Sequence, residues 1–175
     1  MKKFIIALIL GVFGMATANA KTAVVYFSAT GTTKKVAETT AKAVGGDLFE
    51  VVPEQAYTSA DLNWNDKKSR STKESNDPKS RPAIKNKIDL AGYDTVILAY
   101  PIWWGLAPKI MYTFVESQSF EKKNVIGICT SGGSGFGQSG KDLSAHAKGA
   151  IYKGGKEFNH GSEAEIKKFV EGLLK

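Results

Sequence analysis

The sequence is poor in the residues that build disulfide frameworks and metal centres. It contains one cysteine, Cys129, and two histidines among 175 residues. A single cysteine excludes an internal disulfide framework. Because Cys129 lies in an apolar run without a cationic neighbour, we expect a buried, unreactive strand residue. His146 and His160 have no acidic partner at a suggestive spacing, and the sequence has no metal-ligand cluster, so we predict no catalytic or metal-binding residue.

Signals for nucleotide hydrolysis and for nucleic-acid binding are also missing. No stretch ends in the G-K-[ST] of a Walker loop, and neither basic-aromatic interleaving nor a helix-turn-helix pattern is found. Basic residues outnumber acidic ones by 24 to 17, with one concentration in residues 67–87. We favour a solvated loop there over a docking surface for acidic partners. ATP hydrolysis and nucleic-acid binding are therefore not expected.

The N-terminus has the pattern of a secretory signal. Two lysines precede an apolar core in residues 4–13, and Ala18-Asn19-Ala20 has the small residues of a cleavage site. We predict a signal peptide in residues 1–20, cleaved before Lys21. A membrane anchor is the weaker alternative, because the apolar run is shorter than the ~20 residues of a span. We therefore expect a periplasmic or secreted protein whose mature part, residues 21–175, is one domain with 22 basic and 17 acidic residues.

The clearest structural signal is a buried strand that leads through a hydroxyl-rich loop into a helix. Residues 24–27 are apolar, residues 28–33 read Ser-Ala-Thr-Gly-Thr-Thr, and apolar residues at helical spacing continue to Val44. A helix start offers backbone N–H groups at the positive end of its dipole, and hydroxyls add donors. The pattern predicts an anion site, with phosphate as the favoured ligand. A plain helix cap without a ligand is the alternative.

Strand and helix signals alternate along the mature chain. Strands are predicted at residues 24–27, 47–52, 95–100, 124–130 and 150–152, the last extending towards Phe158. Helices are predicted at Thr32–Val44, from Pro108 to Val115, at residues 141–148, and after a Ser162-x-x-Glu165 capping box. This alternation predicts a five-stranded parallel α/β sheet, doubly wound with helices on both faces.

The stretch between the second and third strands has the weakest signals. A helix could begin at Ser59 and continue to Trp64, whose ring we expect to plug an edge of the core. Residues 66–81 are polar and charged, which predicts a mobile surface segment with one or two helical turns.

Three loops rich in Gly, Ser, Thr and Trp should meet at one edge of the sheet. They follow the first, third and fourth strands, at residues 28–33, 101–108 and 131–137. Ligands of doubly wound sheets bind beyond the carboxyl ends of the strands, where the strand order reverses. Trp103 and Trp104 supply flat surfaces for a planar ring, although we expect one of them to pack inwards.

Residues 135–140 match the dinucleotide pattern G-x-G-x-x-G. The match follows the fourth strand, and too little chain remains after it for a dinucleotide fold. NAD binding through this motif is therefore not expected.

Taken together, these loops resemble the flavodoxin family. The likeness rests on Ser28-x-Thr30-Gly31-x-Thr33, on Tyr100-Pro101-Ile102-Trp103-Trp104-Gly105, and on the loop from Cys129 to Gly135. It implies a flavodoxin-like three-layer αβα sandwich that binds FMN non-covalently. The cofactor-binding residues it implies are Ser28, Ala29, Thr30, Gly31, Thr32 and Thr33 around the phosphate, and Pro101, Ile102, Trp103, Trp104, Gly105, Thr130, Ser131, Gly132, Gly133 and Gly135 around the isoalloxazine.

Two features depart from the flavodoxin pattern. Flavodoxins are typically acidic, whereas this chain is basic, so the redox partner, a protein or a small electron donor or acceptor, stays unidentified. The third loop lacks the tyrosine that often stacks on the flavin, and Phe136 is the candidate substitute.

The resemblance favours a secreted or periplasmic FMN-binding electron-transfer protein. One alternative is an FMN-dependent NAD(P)H–quinone oxidoreductase on the same fold. A second is a non-enzymatic protein that binds another phosphorylated ligand.

Overall fold

The structure of the protein, a computed structural model, describes residues 20–175. The predicted signal peptide lies outside the described residues, apart from its last residue, Ala20. No helix within residues 20–175 is both long and apolar enough to cross a membrane.

Strands and helices alternate through the described residues. The strands are β1 Thr22–Tyr26, β2 Asp47–Glu50, β3 Thr95–Pro101, β4 Asn124–Thr130 and β5 Ile151–Glu157. The helices are α1 Thr32–Val44, α2 Arg70–Asn76, α3 Lys109–Glu116, α4 Ser139–Ala145 and α5 Glu163–Leu174. The strands form one parallel sheet in the order β2-β1-β3-β4-β5. The predicted doubly wound α/β fold is confirmed.

Both faces of the sheet are buried, so the central strands are apolar between their end residues. Successive residues of a strand face opposite sides. Val25 accordingly belongs to a core cluster with residues of α3 and α4 and of the chain after β2, whereas Val24 belongs to a second cluster with residues of α1 and α5. The result is the expected three-layer αβα sandwich.

Local signals fix the ends of two helices. Gly45 ends α1 in the left-handed conformation, with φ at 62°, and its N–H reaches the carbonyls of Ala41 and Lys42. Ser162 and Glu165 form the predicted capping box at the start of α5. Other boundaries shift by a few residues: β1 begins at Thr22, β2 ends at Glu50 and β3 includes Pro101. Helix α4 is Ser139–Ala145, and Pro108 is the N-cap of α3 rather than part of its first turn.

The chain between β2 and β3 differs most from expectation. No helix begins at Ser59; the helix of this region is α2, whose N-cap Ser69 accepts a hydrogen bond from the Thr72 N–H. Trp64 does not plug the core, because 73% of its side chain is exposed. The segment lacks a periodic apolar pattern, so specific side-chain pairs, rather than an amphipathic face, determine its course.

Candidate functional site

An open cavity of about 790 Å³ lies over the carboxyl ends of the strands. This volume is in the range of small-molecule and cofactor sites. The chain after every strand contributes to its lining. In the spatial order of the strands, the lining residues are Leu62, Trp64 and Ser71; Ala29, Thr30, Thr32 and Thr33; Pro101, Ile102, Trp103, Trp104 and Gly105; Thr130, Ser131, Gly132 and Ser134; and Asn159 and His160.

The loop after β1 presents hydroxyls and helix N–H groups to this cavity. Thr30 and Thr32 are exposed, with their Oγ1 atoms 3.4 Å apart. Gly31 is the N-cap of α1 and provides no side-chain cap for the first-turn N–H groups. Ser28 has a structural part, because its Oγ accepts a hydrogen bond from the Gly31 N–H at 3.0 Å. Ser28 and Gly31 therefore shape the loop and lie outside the cavity lining, and their predicted contact with the cofactor stays a prediction.

A buried contact ties this loop to the one after β4. The Oγ1 atoms of Thr33 and Thr130 lie 2.8 Å apart, although the two residues are 97 positions apart in sequence. Both residues also line the cavity. The contact brings the predicted phosphate loop and the glycine-rich loop together, as the parallel topology requires.

The loop after β3 is a tight turn around the paired tryptophans. Trp103 and Leu106 exchange backbone hydrogen bonds at 2.9 and 3.1 Å. Trp104 and Gly105 between them have positive φ angles of 49° and 79°, the signs that a two-residue type I′ turn demands. Gly105 adopts this conformation cheaply, whereas Trp104 does so at a cost in strain.

The two indoles diverge, as predicted. Trp103 packs edge-on against Phe27 and Tyr57, with ring centroids 5.7 and 5.2 Å away. Trp104 keeps 44% of its side chain exposed. Both residues line the cavity, but only Trp104 presents a large open surface.

The loop after β4 is held in place by hydrogen bonds. Ser131 Oγ accepts from the N–H groups of Gly133 and Gly135, both at 3.0 Å. Asn159, which follows β5, accepts from the Ser131 N–H at 2.8 Å and donates to its carbonyl at 2.9 Å. Gly133 and Gly135 thus set the course of the loop and lie outside the cavity lining, and their predicted contact with the cofactor stays a prediction.

Phe136 does not substitute for a stacking tyrosine. Its ring lies between α4 and the strands β4 and β5. Cβ atoms built on Gly127, Gly140 and Gly155 would come within 2.7, 2.3 and 2.1 Å of its Cζ. Contacts this short show that the ring occupies the space of three missing side chains. The last glycine of the G-x-G-x-x-G match, Gly140, therefore makes room for Phe136, so packing accounts for this glycine of the motif.

Six lining residues were missed by the sequence reasoning: Leu62, Trp64, Ser71, Ser134, Asn159 and His160. Asn159 and His160 follow the end of β5 directly, so the rule that ligands bind beyond strand ends could have found them. Ser134 lies within a loop that was recognised. No motif or periodic pattern in the sequence marks Leu62, Trp64 and Ser71 as cavity residues; the one unusual feature there is a tryptophan, Trp64, in a polar stretch.

The cavity lining consists almost entirely of uncharged side chains, which can offer hydrogen bonds but no full charge. Among the described residues, His160 is the only titratable side chain that lines the cavity. Cys129, in the strand beneath, is buried, and its burial raises the pKa of the thiol to about 12. This confirms the prediction of a buried strand cysteine and leaves the thiol protonated at neutral pH. The cavity is thus suited to an anion held by N–H and O–H donors, beside a flat ring held by an indole.

The family model described as flavodoxin matches residues 21–173. The chain belongs to the flavodoxin family. A candidate flavoprotein from Bacteroides eggerthii DSM 20697 is 47% identical, covering 90% of this chain and 99% of that one, with a TM-score of 0.86. A second, from Bacteroides uniformis ATCC 8492, is 45% identical over 87% and 98% of the two chains, with a TM-score of 0.82.

A more distant flavodoxin-like structure shares the fold. It is the flavoprotein from Lactobacillus acidophilus NCFM in complex with FMN, 21% identical over 89% of this chain and 99% of that one, with a TM-score of 0.63. No curated protein sequence matches the chain.

Proposed function

We propose that this flavodoxin-family protein binds FMN non-covalently in the cavity over the strand ends and serves in electron transfer. The observation that carries the proposal is the meeting of the hydroxyl-rich start of α1, the Trp104 turn and the glycine-rich loop at one cavity. The FMN complex of the Lactobacillus acidophilus protein, which has the same fold, supports it.

The residues present fit FMN. A phosphate requires donors, which Thr30, Thr32 and the uncapped first turn of α1 supply. A planar ring requires a flat apolar surface, for which Trp104 is the favoured side chain, since Trp103 is engaged by Phe27 and Tyr57. No carboxylate among the described residues lines the cavity to repel the anion.

FMN, when bound, supplies one- and two-electron redox chemistry. The protein's part is to bind and orient it. The threonine hydroxyls and the first turn of α1 would hold the phosphate end, and Trp104 would offer a flat surface to the ring. In the loop after β4, Gly132 and Ser134 line the cavity and would supply the backbone N–H groups for a polar ring edge. Because Asn159 holds that loop at both the N–H and the carbonyl of Ser131, the donors are positioned before the ligand arrives.

The binding test compares FMN with riboflavin, which lacks the phosphate. Purified protein is titrated into each flavin while flavin fluorescence and absorbance are followed. We expect FMN to bind at least about 100-fold more tightly, because two or more charge-assisted hydrogen bonds contribute about 1.5–3 kcal/mol each. Absence of FMN binding would favour the alternative of another phosphorylated ligand.

Steady-state consumption of NADH or NADPH distinguishes the electron-carrier role from the oxidoreductase alternative. A carrier exchanges electrons with a partner and has no need to bind NAD(P)H or a quinone beside the flavin. The FMN-loaded protein is therefore mixed with NADH or NADPH and a soluble quinone, and nicotinamide absorbance is followed. We expect no sustained consumption; rapid steady-state consumption would identify the protein as the oxidoreductase.

We further propose export to the periplasm or medium, with cleavage before Lys21. The pattern of residues 1–20 supports this, as does the position of Lys21, whose backbone N–H donates to Asp94 at 3.1 Å, one residue before β1. Fractionation of the native cells followed by intact-mass measurement tests it. We expect a mature chain of 155 residues, that is, 175 less the 20 of the signal peptide; a full-length cytoplasmic protein would refute it.

A further inference from the structure

The chain after β2 supplies a cavity wall of its own. We call Leu62, Trp64 and Ser71 the β2 wall, since all three line the cavity and precede or begin α2. Tyr57, at the base of this segment, packs against Phe27 with ring centroids 5.6 Å apart. Phe27 directly precedes the hydroxyl-rich loop, so the segment is packed beside that loop.

Ser71 is the residue of this wall that needs a partner. Only 2% of it is exposed, and its Oγ is the one buried side-chain polar atom of the described residues that has no hydrogen-bond partner. Its neighbours are paired with each other, since Ser69 Oγ and Thr72 Oγ1 lie 2.8 Å apart. Buried hydroxyls are nearly always hydrogen-bonded, so an exception calls for an explanation.

The backbone at Ser71 is fixed while its hydroxyl is not. The Ser71 N–H donates to the Asp61 carbonyl at 3.0 Å, and α2 is tied down by Glu74, which accepts from Tyr57 Oη at 2.6 Å and from Arg70 Nε at 2.7 Å. The side chain can still turn about a single bond among three staggered positions. The Oγ is buried in its present position, so a hydrogen bond to a ligand requires this rotation of the side chain, which leaves the fold unchanged.

The strand order indicates which end of the ligand Ser71 faces. β2 is the neighbour of β1 and lies at the edge of the sheet away from β4 and β5. The β2 wall therefore adjoins the loop of Thr30 and Thr32, whereas the Ser131 loop and Asn159 lie on the far side of β3. Because Tyr57 also packs against Trp103, with ring centroids 5.2 Å apart, the β2 wall borders the loops after β1 and β3. Of the ligand groups at these two loops, the anion is the one that a further O–H donor suits.

We propose that the Ser71 hydroxyl donates a hydrogen bond to the phosphate of bound FMN, so that the β2 wall is a phosphate-binding element beside the loop after β1. This inference rests on the proposed FMN binding. It assigns a role to a segment in which the sequence shows no binding motif.

The test compares Ser71→Ala with Ser75→Ala. Ser75 lies one turn further along α2 and outside the cavity lining, so the control makes the same change in the same helix. FMN and riboflavin are titrated into both variants and the unaltered protein. We expect S71A to weaken FMN binding about tenfold or more, the size of one charge-assisted hydrogen bond, while riboflavin binding changes less than about twofold and S75A behaves like the unaltered protein.

Stability separates a binding role from a packing role. Because the Ser71 hydroxyl has no protein partner, S71A without FMN should unfold at the same urea concentration as the unaltered protein or a higher one. Unchanged FMN affinity in S71A overturns the proposal, as does an equal loss of FMN and riboflavin affinity with reduced stability. If the unaltered protein binds neither flavin, the proposed function itself fails, and the role of Ser71 fails with it.

Discussion

Gly105 is the residue whose replacement should affect the cavity most directly through the backbone. Its φ of 79° is unfavourable for side chains, yet a Cβ there would meet no atom within 4 Å. The cost of a side chain is therefore conformational and not steric. Trp104 beside it already adopts a φ of 49°, so this turn has little capacity for further strain.

We predict that Gly105→Ala lowers the free energy of unfolding of the FMN-free protein by about 1–2 kcal/mol, the cost of a left-handed L-residue. The matched control is Gly172→Ala in α5, where a Cβ also meets nothing within 4 Å and φ is ordinary. Alanine at position 172 should raise the free energy of unfolding by about 0.5–1 kcal/mol, because alanine favours a helix more than glycine does. Urea denaturation measures both; equal effects of the two substitutions would contradict the argument.

At the scale of elements, α4 is joined to the sheet through Phe136. The ring fills space left by glycines of β4, α4 and β5, and at Gly140 all the nearest atoms belong to side chains, those of Phe136 and Tyr152. A methyl group at Gly140 would therefore displace the ring rather than the backbone.

We predict that Gly140→Ala destabilises the protein by about 1–3 kcal/mol through overpacking. In combination with Phe136→Ala, which removes the ring, the cost of the methyl group should become smaller, with only the contact to the Tyr152 hydroxyl left. A double-mutant cycle by urea denaturation measures this coupling. Strictly additive effects would show that the glycine is needed for some other reason.

A second contact between elements, made by Glu116 of α3, should contribute to stability in a pH-dependent way. Glu116 at the end of α3 pairs with Arg81, which donates from Nε and Nη2 at 2.7 Å each, and with His146 Nδ1 at 2.8 Å. This is the acidic partner of His146 that sequence spacing did not reveal. The Arg81 hydrogen bonds lower the pKa of Glu116 from 4.5 to about 2.

We predict that Glu116→Gln lowers the free energy of unfolding at neutral pH by about 1 kcal/mol or less, since the carboxylate is partly exposed. A lowered folded-state pKa stabilises the protein above the unfolded value of 4.5, and this contribution is lost as the pH falls towards 2. The difference between variant and unaltered protein should shrink over that interval. The control is Glu171→Gln, whose Lys167 partner is 3.9 Å away with both side chains more than half exposed; it should leave the free energy of unfolding at neutral pH nearly unchanged.

Elements governed by local rules could be predicted from the sequence. Helix α1 follows from its apolar spacing and Gly45, and α5 from the capping box, while the parallel sheet determines that the loops after β1, β3 and β4 share one rim. The β2 wall could not be predicted. Its course depends on pairs such as Tyr57 with Glu74, 17 residues apart, and on no repeating pattern. Phe136 was misjudged for a related reason, because its place depends on glycines in three different elements.

At the scale of the whole molecule, the carboxyl ends and the amino ends of the parallel strands have different functions. The cavity lies over the carboxyl ends of the strands, and Lys21, the proposed first residue of the mature chain, lies at their amino ends. Five-residue β1 separates the two by about 16 Å at the usual rise per residue. A change at the amino-terminal edge should therefore alter stability and leave flavin binding intact.

Cleavage before Lys21 would convert its backbone N–H into an ammonium group beside Asp94, which already accepts from that nitrogen at 3.1 Å. We predict that a chain beginning at Lys21 is more stable than one beginning at Ala20, by up to about 1 kcal/mol at low salt, as for an exposed ion pair. Asp94→Asn should abolish the difference, and so should high salt, because screening weakens exposed pairs. Urea denaturation of the four chains measures the effect, with FMN affinity as the control expected to stay constant. A difference that survives Asp94→Asn would show that it comes from the extra residue and not from the new charge.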